Sequence, residues 1–177
     1  TRTISSAASD VYKRQEDLSA LIMGGLAQAQ VFTAMAVSEQ GAIHTFWLDT
    51  RGMTESMRAA LYYRRSDDGG ARFEEEVRLQ ENDQCPCCQV SAVTSGPSSL
   101  FVSARQITGD NIRTPTVMLS GDNGASFGAP VETGGTPWRL EGCPLKLTAM
   151  ATTPDTIHSL VHNGAEDPPG LLYARAA

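Results

Sequence analysis

Arginine and cysteine are the residue types in this 177-residue sequence whose placement suggests chemistry. Arg105 and Arg113 flank one short segment, Gln106–Ile112. A guanidinium presents a planar fork of donors that matches a carboxylate bidentately, so two that converge from the sides of one loop could grip an anion. The competing reading leaves them solvated or paired with Asp110. Arg51 beside Asp49 makes a similar, weaker case. Trp138 could stack on a sugar ring, and it could equally be a plug beneath a junction between elements. Three of the four cysteines crowd into Gln84–Cys88, as Cys85, Cys87 and Cys88, while Cys143 stands apart. Cysteines so placed are disulfide-bonded, or as thiolates ligate zinc or copper, or stay as free thiols. The spacing is not that of a standard zinc ribbon, and no other cofactor is implied.

The elements that must position these residues repeat. Ser66–Phe73 reads SDDGGARF and Ser120–Phe127 reads SGDNGASF, and both fit Ser-x-Asp-x-Gly-x-x-Phe. Thr33–Ala36 recurs at Thr148–Ala151, with the related Ser91–Thr94 between them. Ile43-His44 recurs at Ile157-His158, with Leu100-Phe101 in the middle copy. Glycine (16) and proline (9) fall between short β-prone segments, the pattern of an all-β chain with many turns. Each unit reads as four short strands, A to D. In the first copy these are near 32–38, 43–48, 57–65 and 75–79. Four antiparallel strands per unit at such a period predict a β-propeller, with about three blades present of six or more. Blade boundaries are set at about 30–83, 84–140 and 141–177, the last incomplete. Leu172-Tyr173 is aligned with Leu61-Tyr62, which puts Ala177 where a further box would begin, so the chain is read as a fragment.

Each box is expected on a tight hairpin. Gly70 and Gly124 supply positive φ, Asp68 and Asp122 accept backbone N–H groups with help from Ser66 and Ser120, and Phe73 and Phe127 fold back as apolar plugs. These aspartates are read as turn clips, not as metal or catalytic carboxylates. Residues 1–15 are polar and unlike the rest, and are read as a non-native or disordered tail ahead of a partial propeller over 16–177. The net charge is −6 without a basic patch, which argues against nucleic acid, and no apolar run is long enough for a membrane span. The same acidity would repel an anionic ligand at long range, so any such ligand needs a locally positive site. Glu74-Glu75-Glu76 is a solvated run on an outer strand. His44 and His158 are read as strand-packing residues, and His162 as exposed and unassigned.

The two boxes and the blade period resemble the sialidase-like Asp-box (BNR-repeat) propellers. Gln84–Cys88 (QCPCC), Arg105, Arg113 and Pro137–Pro144 (PWRLEGCP) resemble more narrowly a bacterial group carrying Cys-x-Cys-Cys and Gly-Cys-Pro motifs. The resemblance implies a propeller with a funnel-shaped site on one face, where sialidases hold a substrate carboxylate with three arginines and cleave with paired acid and nucleophile groups. The opening Arg-Ile-Pro motif is absent and no Tyr–Glu pair is identifiable, so no catalytic residues are assigned. The B–C loops and D-to-A connections share the funnel face, and the Asp boxes lie on the other. The 57-residue offset that separates Ile43 from Leu100 and Leu100 from Ile157 sets Cys143 beside the other three cysteines in an equivalent junction. A Cys87–Cys88 vicinal bridge with Cys85–Cys143, or an inter-blade bridge from Cys87 or Cys88, would then staple an extracellular or periplasmic protein. The expected role is binding or hydrolysis of a carbohydrate or glycoconjugate. The alternatives are a non-catalytic propeller for adhesion or protein interaction, and a metal or redox role at the cysteines.

Overall fold

A computed structural model describes residues 30–142, 144–165 and 169–177. The tail assigned to 1–15 and Cys143 lie outside the described residues. The first blade comprises β1 (Gln30–Val37), β2 (Ile43–Asp49), β3 (Ala59–Ser66) and β4 (Val77–Gln84), paired antiparallel in that order. The second comprises β5 (Ser91–Ser95), β6 (Ser99–Thr108), β7 (Ile112–Ser120) and the two-residue β8 (Val131–Glu132). The third has β9 (Ala149–Thr153), β10 (Thr156–Asn163) and β11 (Gly170–Ala176). The pairing of Gln84 with Gln106 joins the first two blades into one sheet. The outer strand β4 lies later than its expected 75–79, because Glu74 N bonds Arg65 O and closes the hairpin before the ladder resumes.

Burial shows why these segments are strands. In β2, Phe46, Trp47, Leu48 and Asp49 are all buried, so both faces of the strand are covered and simple in–out alternation disappears. Outer strand β4 instead exposes Val77, Arg78 and Glu81, as an edge protected by charge does. The core lies between blades one and two, where Phe46, Leu61 and Tyr63 meet Leu100, Val102 and Met118. Inner strands are tied to one another by hydroxyl groups at a regular step. Thr94 Oγ1 donates to Val37 O at 3.1 Å, and Thr152 Oγ1 donates to Thr94 O at 2.7 Å.

Each box forms a closed hairpin. Asp68 Oδ1 accepts Arg72 N at 2.8 Å and Ser66 Oγ at 2.9 Å, and Gly70 N donates to Ser66 Oγ at 2.9 Å. Asp122 accepts from Ser126 Oγ at 2.6 Å and from Ser126 N and Ser120 Oγ, both at 2.8 Å, and Gly124 N donates to Ser120 Oγ. These bonds from Ser126 and Ser120 hold Asp122 down to about 2. Gly70 and Gly124 have φ of 91° and 85°.

The second box also joins blades. The Phe127 ring packs edge-on against Phe46 and Tyr63, at 6.1 and 5.0 Å between centroids. Asn123 Oδ1 accepts from His44 Nε2 at 3.1 Å, while His44 Nδ1 lies 2.8 Å from the Tyr63 hydroxyl. His44 is therefore a doubly bonded member of the interface rather than simple packing. The third blade repeats half of this arrangement, with His158 Nδ1 2.8 Å from the Tyr173 hydroxyl. Among the described residues no asparagine completes that pair.

The ladder register corrects the alignment of the third blade. Ile43 pairs with Ser66, Leu100 with Ser120, and Ile157 with Ala176. Ala176, not Ala177, therefore stands at the serine position, and Tyr173 matches Tyr63, not Tyr62. A one-residue slip of this kind exchanges the two faces of a strand, and adjacent tyrosines conceal it in the sequence.

Burial lowers the pKa of His44 below its ordinary value, with the Asn123 bond opposing and Arg65 adding to the shift. The unfolded chain then binds the proton more readily, so this contribution is complete above pH 6.5 and is lost as pH falls below it. Urea unfolding between pH 7.5 and 5 should show stability falling by up to about 1.4 kcal/mol per pH unit. His44→Gln should flatten that slope; an unchanged slope would assign it to other groups.

Candidate functional site

Arg105 and Arg113 project from the same face of the β6–β7 hairpin, since Arg105 pairs with Pro115 and Arg113 with Ile107. Both are buried, Arg105 at 3% exposure and Arg113 at 9%. Arg105 Nη1 donates to Arg113 O at 3.0 Å, and its Nε and Nη2 have no hydrogen-bond partner among the described residues. Arg113 Nε donates to Leu140 O at 3.3 Å and its Nη1 to Cys85 Sγ at 3.0 Å. Arg58, which the sequence reading did not single out, reaches from the first blade to Ile107 O at 3.2 Å. Its signal was position: it ends the B–C loop of blade one, near the place where Arg113 ends that of blade two.

Among the described residues no carboxylate forms an ion pair with Arg105 or Arg113. Asp110 is exposed and is not their partner, and Glu141 is engaged by Arg139 and Asn111. Burial, then the charge of Arg113, pushes Arg105 down to about 10. Burial and Arg58 likewise lower Arg113, with Glu141 opposing. Two like charges held out of water without a counterion make a site that favours an arriving anion.

Asp49 and Arg51 are arranged differently. Asp49 is buried and accepts Trp47 Nε1 at 3.1 Å, Arg51 N at 2.8 Å and Arg51 Nη2 at 2.6 Å. Burial alone would raise the Asp49 carboxyl, but these bonds outweigh it and hold it low. Arg51 also bonds Glu76 at 2.6 Å and lies 4.6 Å over the Tyr62 ring. Its charge is already answered by two carboxylates. Trp138 is half-buried, with its ring 6.0 Å from that of His162 and so close to Gly164 that an added Cβ would meet it at 2.6 Å. The ring thus sits against the third blade, and its Nε1 has no partner among the described residues. His162, expected to be exposed, is half-buried because this ring covers it.

Cys85 and Cys88 form a disulfide, with 5.4 Å between Cα atoms. That bond excludes a Cys87–Cys88 vicinal bridge with Cys85–Cys143, and an inter-blade bridge from Cys88. The other alternative, an inter-blade bridge from Cys87, is compatible with it, and Cys87 is itself disulfide-bonded. Cys88 N bonds Cys85 O at 3.2 Å, and this turn brings the first and fourth residues into bridging distance. Cys87 Sγ lies 3.4 Å from Cys85 Sγ, and no described cysteine is a free thiol. Bonded as a disulfide, Cys85 and Cys88 offer no thiolate to a metal, but the sulfur atoms of Cys85, Cys87 and Cys88 lie within 4.8 Å of one another, close enough to converge on one ion when reduced.

The arginines and cysteines gather where B–C loops and D-to-A connections meet. Cys85 N donates to Arg105 O at 2.8 Å and Arg113 N to Trp138 O at 3.1 Å. A separate cavity of about 470 Å³ lies between blades two and three, lined by Phe101, Val117, Leu119 and Ile157. It is mostly apolar, with Arg175 at its wall, and neither Arg105 nor Arg113 lines it.

No protein-family model matches the chain, and no curated protein matches it. Among solved structures it is similar to the α-L-arabinofuranosidase Arb93A from Fusarium graminearum, with a TM-score of 0.60 and 14% identity over 84% of this chain and 45% of that one. It is also similar to the Hadza microbial sialidase Hz136, with a TM-score of 0.58 and 18% identity over 88% of this chain and 34% of that one. The chain thus spans less than half the length of either enzyme. No helix among the described residues is long and apolar enough to cross a membrane. The described chain is an all-β set of β-propeller blades, with a buried arginine pair where their loops meet.

Proposed function

We propose that this chain belongs to a carbohydrate-active propeller that binds an acidic sugar through Arg105 and Arg113, in a protein working outside the cytoplasm. The observation that carries the reading is the buried pair itself, without a carboxylate partner among the described residues and with two donors of Arg105 unsatisfied. A sugar carboxylate entering there takes the free donors of Arg105 and replaces Leu140 O at Arg113 Nε. Arg58 adds positive charge at the rim. Likeness in fold to a sialidase and an arabinofuranosidase supports carbohydrate as the ligand class, and the disulfide supports an oxidising compartment. Hydrolysis is a further step that would need acid and nucleophile groups in addition to this pair.

Calorimetric titration with N-acetylneuraminic acid and with its methyl ester tests the carboxylate grip. The acid should bind about tenfold more tightly or better, the worth of a charge-assisted hydrogen bond. Equal binding of acid and ester would remove the arginines from recognition.

A further inference from the structure

The Cys85–Cys88 disulfide holds a sulfur against the charge that the proposed site needs. Arg113 Nη1 donates to Cys85 Sγ at 3.0 Å, with Cys85 fully buried. A disulfide sulfur is neutral and a weak acceptor, so this contact leaves the guanidinium charge uncompensated. The groups around Cys85 are Arg113 from β7, Cys87 and Cys88 from its own turn, and Ile107 from β6, whose carbonyl holds Arg58. Glu141, the acid acting on Arg113, is bonded to Arg139 and Asn111. Any new negative charge on Cys85 would therefore face Arg113 first.

We infer that the Cys85–Cys88 disulfide is a redox switch on the arginine pair, its reduction giving a Cys85 thiolate that engages Arg113 and weakens anion binding. The inference rests on the reading of Arg105 and Arg113 as an anion site. The reductant is a dithiol. Two electrons pass to the Cys85–Cys88 bond, which breaks, and the two dithiol sulfurs join as a disulfide. Of the two protons released, Cys88 takes one and solvent the other, leaving Cys85 as thiolate. A cation at hydrogen-bond distance favours that ionised form, whereas Cys88 has no such partner among the described residues. The turn is reachable because Pro86 and Cys87 are half-buried and Gln89 is exposed.

The full chain is reduced with dithiothreitol and alkylated with iodoacetamide at pH 7, and each cysteine is followed by peptide mass spectrometry. Cys85 should react about tenfold faster than the equally buried Cys88. Arg113→Gln should abolish the difference and Arg113→Lys should keep part of it. In parallel, N-acetylneuraminic acid should bind about tenfold more weakly to reduced than to oxidised chain, and binding to the Cys85→Ser/Cys88→Ser variant should ignore dithiothreitol. Equal alkylation of Cys85 and Cys88 overturns the switch, whatever the sugar does. Loss of sugar binding in both redox states, with the alkylation difference intact, overturns the anion-site reading and the gating with it, and leaves the thiolate–arginine pair standing.

Discussion

Gly124→Ala should destabilise the chain by about 3–5 kcal/mol, and Gly70→Ala by only about 1 kcal/mol, although both occupy one position of one motif. Each glycine has positive φ, so an alanine is strained at either site. The surroundings differ. At Gly124 a Cβ would collide with the Tyr63 hydroxyl and lie 3.0 Å from His44 Nδ1, both held in the blade interface. At Gly70 it meets only Ile43 Cδ1, at 3.4 Å. The first substitution therefore breaks the seam between two blades and the second strains one hairpin. Urea midpoints at constant m-value measure both. Equal losses would show that the second box is not wedged against the first blade.

Arg105→Met should move binding and stability in opposite directions. The methionine keeps much of the stem volume and removes a buried charge with two unsatisfied donors, so the fold should gain about 1–3 kcal/mol. Binding of N-acetylneuraminic acid should fall about a hundredfold, because the donors lost are charged and shielded from water. Calorimetry and urea unfolding of the same preparation give both values. A variant that binds normally but is less stable would make Arg105 a structural residue. Arg51→Met is the contrast: its charge is answered by Asp49 and Glu76, and removing it leaves Asp49 buried without its main partner, so it should destabilise.

The strands were largely legible because their signals are local. Ser-x-Asp-x-Gly-x-x-Phe carries its own turn geometry, and the recurring Ile-His pairs mark equivalent strands. The misread places are those where local pattern is degenerate. Tyr62 and Tyr63 are interchangeable as letters, and only the pairing of Tyr63 with Phe46 separates them. In the CPCC run, spacing left a vicinal bridge and an inter-blade bridge open, and the Cys85–Cys88 pairing, closed by a turn hydrogen bond, was not among them.

By itself the sequence determined the all-β repeat and the residue types available for chemistry, since turn residues and hydrophobic alternation act over a few positions. Tertiary structure decided which charges are answered. Arg51 and Arg105 look alike as letters beside a loop, yet one meets Asp49 and Glu76 and the other donates to a backbone carbonyl. That difference arises from burial and from partners far away along the chain, because desolvation and Coulomb energy depend on distance in space.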